Sequence, residues 1–62
     1  MSKLQEARLA KGISCKKLAD LSNVSKRTIE KYESGELDIM RAAVGKVIAI
    51  ADALEVDIKE IL

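Results

Sequence analysis

The sequence predicts an all-α fold, a compact domain of five short helices, and three observations point there. Apolar residues recur at helical spacing in short runs, clearest at Leu18 and Leu21, at Ile29 and Tyr32, and at Val44, Val47, Ile50, Ala51 and Leu54. Serines stand just ahead of two runs, at Ser14 and Ser25, and glycines just behind two, at Gly12 and Gly35. Proline is absent and 48% of the 62 residues are apolar, which suits a packed helical chain and opposes disorder. Tyr32 is the one aromatic residue, so the core is expected to be aliphatic. The length suits one domain over residues 1–62 with a modest core, and no separate ligand-sensing domain is expected within it.

Helix 1 is expected over about Lys3 to Lys11, with Leu4 and Ala7 inward and Gly12 as a left-handed stop. Ser14 caps helix 2, about residues 15–21, with Leu18 and Leu21 as its buried pair and Ala19 beside them. In the link Ser22-Asn23-Val24-Ser25, Asn23 falls where the chain reverses, and asparagine tolerates positive φ. Ser25 then caps helix 3, about residues 26–34, which Gly35 ends. Two helices joined by so short a turn form a helix-turn-helix. Residues 36–42 allow two readings: Asp38 caps a helical turn at Ile39–Arg41, or the segment is an irregular link. Helix 4 follows over about Ala43 to Leu54, its first turn weakened by Gly45. Asp57 and Glu60 have capping-box spacing and are expected to open a fifth helix, Ile58 to Leu62.

Several function classes are disfavoured. No apolar run approaches the roughly 18 residues that span a bilayer, and the first residues lack the apolar stretch of a signal peptide. Cys15 alone makes no intramolecular disulfide, so a cytoplasmic protein is expected. Without histidine, and with one cysteine, no zinc-ligand set, metal or cofactor is expected. No nucleophile–base pairing or phosphate-cradling glycine loop suggests an enzyme.

The net charge of +1 conceals a division. Residues 1–31 carry eight cations against three anions, and residues 32–62 carry three against seven. Within the basic half, Lys16 and Lys17 fall in the first turn of helix 2, and Lys26 and Arg27 in the first turn of helix 3. A cation at a helix N-terminus opposes the dipole at a cost of about 0.3–1 kcal/mol. An anion docked there reverses the balance, because ammonium groups, free N–H groups and dipole all converge on it. A nucleic-acid backbone supplies such anions at regular spacing.

The segment from Cys15 to Gly35 resembles the helix-turn-helix of lambda-repressor/Cro-type regulators, the XRE family, with Ala19 where the helices touch, Asn23 where the family usually has glycine, and Val24 and Ile29 as core pins. Leu4-Gln5-Glu6-Ala7-Arg8 is similar to the family's first helix and Ile50-Ala51-Asp52-Ala53-Leu54 to its fourth. The resemblance implies sequence-specific binding of double-stranded DNA by a transcriptional regulator that occupies an operator. Helix 3 then enters the major groove with Lys26, Arg27 and Lys31 towards the bases. Cys15, Lys16, Lys17, Thr28 and Ser34 lie towards the phosphates. Arg8 and Glu33 occupy positions that form an ion pair in similar proteins, and Glu33, near a helix C-terminus, wants a cation in any case. A two-fold homodimer on DNA is expected, with Ile58, Leu62 and Ile48 as candidates for its seam and Val56 and Ile61 in the core. A second reading is a protein-interaction module of the same fold, antitoxin-like or an anti-repressor partner, binding a regulatory protein through residues 37–40 and the C-terminal residues.

Three positions depart from the family pattern. Cys15 stands where glutamine often contacts phosphate; beside Lys16 and Lys17 at a helix start its pKa is expected to fall, so it is either a redox sensor or simply a tolerated small residue. Residues 36–42 make a long link whose Leu37, Ile39 and Met40 cap the core or form an interface. Glu55 stands where glycine often ends helix 4, which predicts a strained or frayed end.

Overall fold

In the computed structural model, which describes residues 2–62, four α-helices and two 3-10 turns surround an aliphatic core. The helices are α1 (Lys3–Lys11), α2 (Cys15–Ser22), α3 (Lys26–Ser34) and α4 (Val44–Leu54), and the turns are Ile39–Arg41 and Ile58–Glu60. The fold is all-α, but the expected fifth helix is one 3-10 turn. The Asp57–Glu60 capping box is present, with the Glu60 carboxylate accepting the Asp57 N–H at 3.2 Å. A cap does not lengthen a helix, and the first turn fixes several dihedrals for one hydrogen bond. The turn instead delivers Ile61 into the core.

Serine hydroxyls start three helices. Ser2, Ser14 and Ser25 accept the N–H groups of Gln5, Lys17 and Thr28 at 3.0, 3.0 and 3.1 Å. Left-handed residues end all four: Gly12, Asn23, Gly35 and Glu55. Asn23, at φ 59°, reverses the chain between α2 and α3, the conformation its short polar side chain tolerates. Glu55 takes the same φ with no such excuse, and its carboxylate pairs with Lys11 across the end of α1. Between α3 and α4, Asp38 caps the turn at Ile39–Arg41 by accepting the Met40 N–H at 3.0 Å. Of that link's apolar residues, Ile39 packs against the core while Leu37 and Met40 remain exposed.

The core joins Leu4 of α1, Leu18 of α2, Val24, Ile29 and Tyr32 around α3, Val47, Ile50, Ala51 and Leu54 of α4, and Ile61. Two expected members are outside it. Leu21 is 51% exposed, because the inward line of α2 passes through Cys15, Leu18, Ala19 and Ser22. Ser22 is buried on that line with its hydroxyl donating to the Leu18 carbonyl at 2.7 Å, so a polar residue holds a place that periodicity gives to leucine. Val44 is 69% exposed, since the buried stripe of α4 begins a turn later at Val47.

The two leucines of α2 should therefore respond differently to truncation. Leu18→Ala should cost about 2–5 kcal/mol in urea unfolding, whereas Leu21→Ala should stay within about 0.5 kcal/mol.

Candidate nucleic-acid interface

Burial of Ile29 and Tyr32 turns the opposite side of α3 outward. Arg27, Glu30, Lys31 and Ser34, spaced three or four apart, line one shallow groove there with Glu36. Lys26 and Arg27 are exposed and Lys31 is half-buried. Lys26 Nζ lies 4.0 Å from the Glu30 carboxylate, an exposed i,i+4 pair. Thr28 is half-buried, its hydroxyl accepting a 2.8 Å hydrogen bond from Ser25. The Ser34 hydroxyl donates to the Lys31 carbonyl at 3.1 Å and accepts the Glu36 N–H at 3.3 Å, so it closes α3. Lys16 and Lys17 are exposed at the start of α2. The serine caps take the N–H groups of Lys17 and Thr28, and those of Cys15, Lys16, Lys26 and Arg27 precede the first intrahelical bonds. Two helix starts thus combine exposed cations with donors directed along the helix axis, a chemistry that binds anions.

One buried ion pair sets where α3 sits. Arg8 Nε and Nη2 donate to the two oxygens of Glu33 at 2.7 and 3.1 Å, and Nη1 donates to the Ile13 carbonyl at 2.9 Å. The guanidinium thereby ties α1 to the α1–α2 link and to the last turn of α3. Its pKa is raised chiefly by the hydrogen bond to Glu33, against the opposing effect of burial. The Ile13 carbonyl was not visible in the sequence as a partner, because a backbone acceptor leaves no side-chain signature.

Cys15 departs from expectation. Its Sγ lies 3.7 Å from both oxygens of Glu33, on the inward side of α2. Burial, then the Glu33 charge, push the thiol up, and Arg8 only partly offsets them. Lys16 and Lys17 alone would lower the thiol pKa; the carboxylate that folding brings from α3, together with burial, reverses the direction. The thiol is turned away from a phosphate-contacting role by the same bond.

The candidate seam residues lie apart in character. Ile58 is half-buried, packed against the core and lining an open surface hollow with Asp57, Lys59 and Leu62; Leu62 and Ile48 are exposed. Val56 packs against the core and Ile61 lies within it. No helix among the described residues is long and apolar enough to cross a membrane.

Residues 4–61 match a family model described as "Helix-turn-helix". The chain is 40% identical over 53 residues to an uncharacterized HTH-type transcriptional regulator of Rickettsia conorii and equally to one of Rickettsia prowazekii. The alignment covers 86% of this chain but 40% and 38% of those proteins, so the chain spans about two fifths of the length of the curated relatives it matches. No solved structure matches the chain significantly.

Two outcomes follow from the cluster around Glu33. Arg8→Ala should cost about 3 kcal/mol in urea unfolding, since it strands a largely buried carboxylate. Iodoacetamide should alkylate Cys15 more slowly at neutral pH than an unhindered cysteine. The attacking species is the thiolate, and a raised pKa leaves less of it at pH 7, so the rate should climb only above the ordinary thiol range.

Proposed function

The chain belongs to the helix-turn-helix family, and from that premise we propose that it binds double-stranded DNA sequence-specifically in the cytoplasm and regulates transcription by occupying an operator. The observation that carries this reading is the joint exposure of Lys16, Lys17, Lys26 and Arg27 at the starts of two packed helices, with Ile29 of the second fully buried. Their placement is costly in the free protein and favourable against phosphate.

In this reading α3 lies in the major groove. Arg27 and Lys31, one turn apart, with Lys26 beside them, face base edges; arginine and lysine match the O6 and N7 acceptors of guanine. Lys16, Lys17 and the first N–H groups of α2 hold one stretch of backbone, including the N–H of Cys15, whose thiol is engaged elsewhere. Thr28 and Ser34 flank the groove and contribute to phosphate through what their local hydrogen bonds leave free. Glu30 and Glu36 border the same cations and repel phosphate, so their presence favours groove contacts over indiscriminate backbone binding. Arg8 and Glu33 position α3 without touching DNA. A single module of this kind buries about 600–1,000 Å² on DNA, and two copies reading half-sites about one helical turn apart give the specificity one lacks. The relatives' printed description as transcriptional regulators supports the regulatory role.

Selection of bound duplexes from a random pool should return paired half-sites, each with at least one G·C pair, and log affinity should fall linearly with log salt. Arg27→Ala should relax sequence preference at one position by about 1–3 kcal/mol, while Lys16→Ala should weaken all sequences alike and lower the salt slope by about one. Weak, sequence-blind binding throughout would instead favour the protein-interaction module.

A further inference from the structure

Two carboxylates lie on α3, and the fold itself uses one of them. Glu33 is held at both oxygens by Arg8. Glu30, three residues earlier, has a side chain 55% exposed and lies with Arg27, Lys31 and Ser34 on the outward groove of the helix. Among the described residues, the one cation within 4.0 Å of its carboxylate is Lys26, at 4.0 Å, beyond hydrogen-bond distance. That exposed i,i+4 pair leaves the lone pairs of Glu30 free to accept.

A surface made only to hold phosphate has no use for this carboxylate, which repels the backbone on either side of a groove. It gains where a donor meets it. In the major groove guanine presents N7 and O6 and thymine presents O4, all acceptors, and the donors are the exocyclic amines of adenine and cytosine. The adenine amine lies between two acceptors, its own N7 and the O4 of the paired thymine, and both oppose an anion. The cytosine amine has guanine O6 on one side and only a C–H on the other, so it admits a carboxylate best.

We propose that Glu30 determines specificity by accepting a hydrogen bond from the N4 amine of one cytosine in each half-site. Side chains three apart on a helix differ by about 4.5 Å along its axis, against a base-pair step of about 3.4 Å, so Glu30 reaches a base pair other than the one Arg27 reads. This rests on the proposed placement of α3 in the major groove and adds to it a reader of opposite charge. Cations alone are satisfied by any guanine or phosphate within reach. The carboxylate is repelled wherever an acceptor faces it, so it rejects wrong sequences as well as favouring one.

Selection from a random duplex pool, run in parallel on the parent, Glu30→Ala and Glu30→Gln, tests this role. Both variants change an exposed side chain, so they keep the fold, which urea unfolding checks. The parent should return one cytosine per half-site that the Glu30→Ala pool leaves unspecified. Glu30→Gln should move the preference there to adenine, whose N6 and N7 match a carboxamide. On the selected duplex, exchanging that cytosine for thymine should weaken the parent about tenfold and Glu30→Ala by less than about twofold. A Glu30→Ala pool that keeps the parent's preference at every position, with tighter binding to all duplexes alike, overturns the inference: Glu30 then only repels phosphate, and the reading by α3 stands. A parent pool without sequence preference overturns the proposed function and this inference together.

Discussion

The guanidinium of Arg8 does more to define this molecule than any one core residue. It spends three N–H groups on two segments that the chain must hold together: the Ile13 carbonyl and both oxygens of Glu33. A core of leucine, isoleucine, valine and alanine with one tyrosine specifies distance between helices better than orientation, because its contacts are non-directional. The bidentate pair supplies direction. With one end of α3 tied to α1 and the other capped by Ser25, the rotation of α3 about its axis is settled by burial of Ile29 and Tyr32.

That rotation converts a charge pattern into a surface. Alone, cations at the starts of α2 and α3 are a local penalty; in the folded chain they are exposed on two packed helices whose inner faces are core. The family match fits this division of labour, since a helix-turn-helix needs a rigid inner face and a charged outer one. The acidic residues share in the outer face: Glu30 and Glu36 sit among Arg27 and Lys31. Glu33, one turn from Glu30, is withdrawn into the clamp.

At Cys15 and Glu55 the partner that decides the outcome came from elsewhere in the chain. Cys15 lies 18 residues from Glu33 in sequence and 3.7 Å from its carboxylate in space, and that neighbour, with burial, raises the thiol pKa that local charges were expected to lower. Glu55 was expected to strain the end of α4; it does adopt the left-handed conformation, and Lys11, 44 residues away, pairs with it and depresses its pKa. Leu21 and Ser22 exchanged expected roles because periodicity weighs apolarity and does not see a hydroxyl bonding its own helix.

The sequence by itself determined the bounds of α1 to α4 to within one residue, and the turn of the helix-turn-helix. Serine caps, left-handed glycines and Asn23 act through hydrogen bonds and dihedrals within about four residues, which a linear reading contains. It also determined that positive charge gathers at two helix starts. Tertiary structure alone decided that Leu21 and Val44 stay exposed, that the last capping box opens a single turn, and that the Cys15 thiol faces inward. Each depends on which surfaces meet after the chain has folded back on itself, and no spacing along the chain encodes that meeting.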